Sequence, residues 1–205
     1  MIARLVLVVL LFGCGPAFAA PAPVLVFGDS LSSAHHIAVE SGWVHLLELK
    51  LEASKNPRPV VNASISGETT SGGLQRLPKI LADTRPALVV LELGANDGLR
   101  GLPLAEIREN LTKMIRASQA AGAAVVLLGI ELPINYGPQY RDGLRGIYRD
   151  VAAEFNLPLV PFLLDGVALN PDLMQDDGLH PKAEGEPKVL DNVWPVLEPA
   201  IAKLK

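Results

Sequence analysis

The chain has 205 residues, 49% of them hydrophobic, with 18 Lys and Arg against 22 Asp and Glu, a formal net charge of −4 at pH 7 and one cysteine. That length suits one domain plus a short extra segment, and scattered basic residues in a net-negative chain offer no groove for nucleic acid. The one cysteine, Cys14, lies near the start, so the rest of the chain has no disulfide, thiol nucleophile or cysteine-ligated metal and must be held by its apolar core.

The first twenty residues read as an export signal. Arg4 supplies the positive charge, Leu5 to Phe12 a short apolar core, Pro16 a helix breaker, and Ala17-Phe18-Ala19 a small-x-small cleavage site. The run is too short to span a bilayer comfortably, and it inflates the positive mean hydropathy. The domains expected are therefore 1–20 as signal peptide and 21–205 as the mature domain, periplasmic or secreted. Leu11-Phe12-Gly13-Cys14 resembles a lipoprotein box with Phe12 large for its place, so a lipid anchor at Cys14 is the lesser alternative.

Beyond the leader, short apolar runs alternate with helical patterns. Strands are predicted at Val24 to Phe27, Pro59 to Asn62, Ala87 to Leu93, Ala124 to Ile130 and Leu157 to Phe162. Helices are predicted at Trp43 to Leu51 with Ser41 as cap, Leu104 to Ala121 between Pro103 and Gly122, and Tyr140 to Phe155. A last helix is expected from about Ala183 to Val193, with Pro187 inside it. Such alternation implies an α/β fold with a parallel sheet covered on both faces, and continuously apolar strands support that burial. In such folds the site lies beyond the carboxyl ends of the strands. The segments to inspect are then Gly28-Asp29-Ser30, Ala63 to Gly67, Gly94 to Asp97 and Glu131 to Pro133.

Ser30 follows the first strand directly, where it could be a nucleophile or a helix N-cap. A serine nucleophile needs a base in reach and a group to orient that base. His45 falls inside a helix pattern and reads as a surface or packing residue. His35 is five residues past Ser30; in a helix it would lie about 7.5 Å further along and roughly 140° round, not easily within reach, and His36 is worse in rise, although a loop in place of a helix would reopen both. His180 remains, in Asp177-Gly178-Leu179-His180-Pro181. A tight turn lets the Asp177 carboxylate double back onto Nδ1 of His180, leaving Nε2 for the substrate side, although a solvated surface turn is the plain alternative. Gly67 could offer an unobstructed N–H, and Asn96 its side-chain amide, to a developing oxyanion.

Taken together, Gly28-Asp29-Ser30-Leu31, Gly67, Gly94-Ala95-Asn96-Asp97 and Asp177-Gly178-Leu179-His180-Pro181 resemble, in order, the blocks of the SGNH (GDSL) hydrolase family. Val61 to Thr69, Asn96 to Gly101, Leu132 to Gly137 and Met174 to Gly178 resemble its bacterial exported thioesterase I/lysophospholipase L1 (TesA-type, arylesterase) subgroup. The resemblance implies a three-layer α/β/α sandwich around a five-stranded parallel sheet (a flavodoxin-like SGNH hydrolase fold). It implies Ser30 as nucleophile, His180 as base, Asp177 as its orienter and an oxyanion hole from Ser30, Gly67 and Asn96. It also implies no metal and no cofactor. Two places differ: Ala95 stands where glycine is common, and Ser32 to His36 replaces a small-Gly pattern.

The function expected is a serine hydrolase of carboxylic esters and thioesters (arylesterase, acyl-CoA thioesterase or lysophospholipase), working through an acyl-enzyme on Ser30. Gly98, Leu99, Leu132 and Pro133 are expected to bind the acyl chain. Gly98 and Gly101 would let the first of these loops move. The partners expected are a small-molecule acyl ester, thioester or lysophospholipid, with transient membrane contact, no nucleic acid and no stable protein partner. The rivals are a deacetylase of acetylated carbohydrate and a non-catalytic flavodoxin-like binding domain holding phosphate at Ser64 to Gly73 (SISGETTSGG).

Overall fold

A computed structural model describes residues 21–204; the expected signal peptide and Cys14 lie outside the described residues. The five strands are β1 (Val24–Gly28), β2 (Val60–Asn62), β3 (Leu88–Glu92), β4 (Ala124–Leu128) and β5 (Leu159–Val160). All pair in parallel, in the order β2-β1-β3-β4-β5, with Val26 opposite Asn62 and Val90, and Leu127 opposite Leu159. β1 and β3 are buried along their whole length, which is why their sequences are apolar without alternation.

Six helices cover the sheet: α1 (Trp43–Glu52), α2 (Thr70–Thr84), the short α3 (Ala95–Leu99), α4 (Leu104–Ala120), α5 (Pro138–Phe155) and α6 (Glu186–Ala202). α1 packs against α6 on one face, while α2 packs on α4 and α4 on α5 on the other. The α/β/α sandwich expected from the sequence is the fold observed. The order in which strands are added reverses between β1 and β3, so the loops leaving those two parallel strands flank the crevice at the switch point.

Three elements differ from expectation. α2 has no counterpart in the sequence pattern, because Gly72, Gly73 and Pro78 make it a poor helix by propensity. Tertiary contact decides it: a Cβ on Gly73 would come within 2.5 Å of Leu93 Cδ1, so only glycine lets the helix lie this close to the sheet. α6 starts later and runs further than expected, to Ala202; Pro187 lies in its first turn, where a missing N–H costs nothing, and Pro195 and Pro199 are the interior prolines. Val189, Val193, Leu197 and Ile201 are buried along one stripe and hold it. Ser41 does not cap α1; Gly42 precedes it, and the Trp43 N–H donates instead to Glu186 Oε2 at 2.8 Å. A carboxylate from another helix thus serves as the cap.

Candidate active site

The site is built from the loops that leave β1, β2 and β3 and from the loop before α6. After β1 the chain makes a turn rather than a helix. Asp29 is buried, and its Oδ1 accepts the Leu31 N–H at 3.0 Å. The Trp43 indole donates to the Leu31 carbonyl at 3.0 Å, pinning the far side of the turn. Ser30 is left at the crest, partly exposed.

The last loop is a small antiparallel clasp. Met174 bridges Pro181, and the Gln175 N–H donates to the His180 carbonyl at 2.8 Å. Gly178, at φ 66, turns the tip. Asp177 Oδ1 accepts the Leu179 and His180 N–H groups at 2.8 and 3.1 Å, which fixes its carboxylate against the turn. Its Oδ2 lies 2.7 Å from His180 Nδ1, and His180 Nε2 lies 2.8 Å from Ser30 Oγ. Partial burial works against ionisation of Asp177. The His180 ring and the two N–H groups outweigh it and hold the carboxyl at about 2. An ionised Asp177 favours the Nδ1–H tautomer, which leaves the Nε2 lone pair facing the serine.

Donors surround the same point. Gly67 adopts φ 80 with open space around it. Among the described residues neither its N–H nor that of Ser30 is spent on a protein acceptor. Asn96 Nδ2 donates one hydrogen to Asp29 Oδ2 at 3.0 Å, which orients the amide and leaves its second hydrogen available. Ser30, Gly67, Asn96 and His180 all line one cavity of about 250 Å³.

The Gly67 and Asn96 loops are locked to each other. Arg100 donates to the Gly67 carbonyl at 3.1 Å. Buried Asp97 accepts the Thr70 N–H at 2.9 Å and the Thr70 hydroxyl at 2.5 Å, and Asn110 donates to that hydroxyl at 3.1 Å. The N-terminus of α2 therefore holds a carboxylate of its own chain. The Ser64 to Gly73 segment is not the open phosphate cradle its composition suggests, since the Thr70 and Gly72 N–H groups are already engaged. Ala95 starts α3 in a helical position and so tolerates its methyl group, whereas Gly94 before it sits at φ 121, where glycine is needed.

Below the turn lies a second carboxylate that the sequence pattern gives no reason to suspect. Glu92, fully buried at the end of β3, accepts the Asp29 N–H at 3.1 Å and the Ser32 hydroxyl at 2.8 Å. Burial, then the neighbouring Asp29, drives its pKa well above the usual carboxylate range. Burial likewise pushes Asp29 up to about 7, against the pull of the Leu31 N–H and the Asn96 amide. Two such groups cannot both be charged here; Asp29 has a donor on each oxygen, whereas among the described residues both donors to Glu92 meet Oε2 and Oε1 has no partner. The proton belongs on Glu92.

The cavity wall includes Leu99, Leu132 and Pro133 as expected, and also Ile130, Phe162 and Leu164, which the sequence reading did not single out. Position after β4 and β5 was the available signal for them. Gly98 stands behind that wall: a Cβ there would press on Leu132 and Leu144, so its place is to seat Leu132. His45 pairs with Glu48 on α1, away from the cavity. His35 lines the cavity without touching the serine hydroxyl; its Nδ1 is 3.1 Å from Ser66 Oγ.

The chain is similar to known proteins over most of its length. The profile of the GDSL-like Lipase/Acylhydrolase family matches residues 26–186. The chain is 49% identical over 183 residues to Esterase TesA of Pseudomonas aeruginosa, covering 89% of this chain and 91% of that one. It is 40% identical over 183 residues to the Thioesterase 1/protease 1/lysophospholipase L1 of Escherichia coli (strain K12), covering 89% and 86%. The solved psychrotrophic esterase EstA from Pseudoalteromonas sp., inhibited by monoethylphosphonate, superposes with a TM-score of 0.84 at 38% identity, over 89% of this chain and 100% of that one. On the family match across most of its length and on these relatives, the chain belongs to the GDSL-like lipase/acylhydrolase family.

Proposed function

We propose that this protein hydrolyses carboxylic esters and thioesters of small acyl substrates, with Ser30 as nucleophile, His180 as general base and Asp177 as its orienter. The observation that carries the reading is the continuous path from Asp177 Oδ2 through His180 to Ser30 Oγ, at 2.7 and 2.8 Å. It ends beside two unspent N–H groups at the mouth of an apolar cavity.

Ser30 Oγ attacks the acyl carbon as its proton passes to His180 Nε2. Charge on the carbonyl oxygen is met by the Ser30 and Gly67 N–H groups and the free hydrogen of the Asn96 amide. Collapse breaks the bond to the alcohol or thiol, which leaves with the proton from His180. Water then gives a proton to the same nitrogen as it attacks the acyl-enzyme; the second collapse breaks the bond to Ser30 Oγ, which takes that proton back from His180, and the acid is released. The acyl group rests on Leu99, Leu132, Pro133, Phe162 and Leu164. A cavity of this size is below the usual range for drug-sized ligands, which favours short or medium acyl groups or an aryl ring.

That lining argues for an acyl chain over an acetylated carbohydrate, whose hydroxyls would want polar partners. An ester or lysophospholipid is the physiological substrate class that goes with an exported domain beginning near residue 21, in the periplasm or secreted. N-terminal sequencing of the exported protein tests that: a start at Ala20 or Pro21 supports it, and an intact Met1 sinks it. For the chemistry, a fluorophosphonate probe should label Ser30 stoichiometrically and abolish hydrolysis of p-nitrophenyl esters. Labelling elsewhere, or full activity in Ser30→Ala, would overturn the assignment.

A further inference from the structure

His35 has no part in the chemistry above, yet it is held in place with care. Its ring stands against the His180 imidazole, centroids 4.3 Å apart and planes at 40°, and His36 stacks on it at 3.8 Å and 24°. Three constraints fix it there. Its Nδ1 meets Ser66 Oγ at 3.1 Å, and that hydroxyl meets Ser33 Oγ at 2.9 Å. Its carbonyl accepts from Gln175 Nε2 at 2.9 Å, and the same amide donates to the Pro181 carbonyl at 2.8 Å. The turn bearing His35 is thus tied to the loop bearing His180. The residues on either side, Ala34 and His36, adopt left-handed backbone at φ 58 and 57. That conformation is costly for residues other than glycine, and it persists only where the surroundings impose it.

We propose that His35 is a positioning residue for His180: its neutral ring backs the base as that base gains positive charge, and a proton on His35 turns the base off. The proposal rests on the reading of Ser30 and His180 given above. When His180 takes the serine proton it becomes a cation, which a neutral aromatic ring within about 6 Å attracts and a second imidazolium repels. The titratable groups facing His35 are His36 from its own turn and His180 and Asp177 from the last loop; the β2 loop presents only the Ser66 hydroxyl. Burial, then His180 and His36, lower the His35 pKa from the ordinary histidine value, with Asp177 opposing. His35 is therefore neutral at pH 7 and takes up its proton in more acidic solution.

The consequence is countable. Turnover requires both rings to be free of the extra proton, so in acid log kcat/KM should climb with pH at a limiting slope of two. Without a titrating residue at position 35 the slope should be one. The experiment measures kcat/KM for a p-nitrophenyl ester from pH 4 to 9. It compares the wild type with His35→Phe, His35→Ala, His36→Ala and His180→Ala. Thermal melts and return to pH 8 exclude acid unfolding. The wild type and His36→Ala should show a slope of two and His35→Phe a slope of one. At pH 8, His35→Ala should lose about two- to fivefold in kcat at unchanged KM, and His35→Phe should recover it. A slope of one in the wild type or in His36→Ala, or of two in His35→Phe, overturns the proposal. If His180→Ala keeps wild-type rates, the Ser30–His180 reading has failed instead; if it is dead and the slopes do not differ, only the role of His35 has.

Discussion

Asp29 and Asp177 both lie within three residues of the reacting groups, yet they live in opposite surroundings. Asp177 is on an exposed turn, receives two N–H groups and an imidazole, and is held at about 2. Asp29 is buried under the nucleophile turn, shares its layer with Glu92, and is pushed up to about 7. The exposed aspartate is the firmly charged one, suited to stabilising an imidazolium. The buried one is a framework group that spends its oxygens on Leu31 and Asn96. Motif membership does not tell the two apart; solvent access and the count of donors do.

Substitution separates them, beginning with the largest effect. Ser30→Ala and His180→Ala should each cost on the order of 10⁴–10⁶ in kcat, and Asp177→Asn roughly 10³–10⁴. Melting temperatures should fall by at most a few degrees, because Asp177 is exposed, which screens its charge, and Asn keeps an acceptor for the two N–H groups; a fall of many degrees would make Asp177 structural rather than electrostatic. Asn96→Ala should cost about 10²–10³ in kcat with little change in KM, read by steady-state kinetics.

On the buried side, Asp29→Asn faces one amide donor with another. Asn96 must then turn its donor away from the cavity, and kcat should drop roughly 10- to 100-fold. Equal losses in Asp29→Asn and Asp177→Asn would erase the distinction drawn here. Glu92→Ala should instead appear in stability, at about 2–4 kcal/mol by urea unfolding, since it strands the Asp29 N–H and the Ser32 hydroxyl. Glu92→Gln, which keeps an acceptor and needs no proton, should cost much less.

The smallest effect is a pH dependence. Asp29 and Glu186 each have a folded pKa raised to about 7 by burial, above the ordinary carboxylate value. The native state keeps protons that the unfolded chain releases, so their stabilisation is full below about pH 4 and is lost as pH rises through 7. Asp177, held at about 2, does the reverse: its contribution is present above about pH 4 and lost as pH falls toward 2. Melting temperature should therefore decline between pH 5 and 8, and Glu186→Gln should flatten the decline. A wild-type melting temperature that rises over that range would contradict the sign. Activity runs the other way, since the base must be unprotonated, so the conditions that favour the fold and the reaction diverge.

The site was more legible in the sequence than its supports. Ser30, Gly67, Asn96, Asp177 and His180 all lie directly after strands or in a turn, where local chemistry announces itself. Glu92 sits at the end of an apolar strand, where no local signal marks a buried carboxyl. Phe162 and Leu164 were ordinary strand-end apolar residues until the sheet order placed them across from Leu132. α2 was hidden because Gly73 serves packing against Leu93 and Phe27 rather than helix formation.

The sequence by itself determined the strands, most helices and the parallel class, because hydrophobic period and turn chemistry are local properties; the roles expected for Ser30, Asp177 and His180 rested on the resemblance to a family. On reach the sequence disfavoured His35 as the base of Ser30 only if a helix followed Ser30, and the chain there is a turn. Only the tertiary structure decided that a turn with two left-handed residues lays His35 against His180, and that one aspartate is charged while its neighbour shares a buried proton. Those outcomes depend on desolvation and on contacts between residues far apart in the chain, such as Asp29 with Glu92 and Ser30 with His180, and no local pattern encodes them.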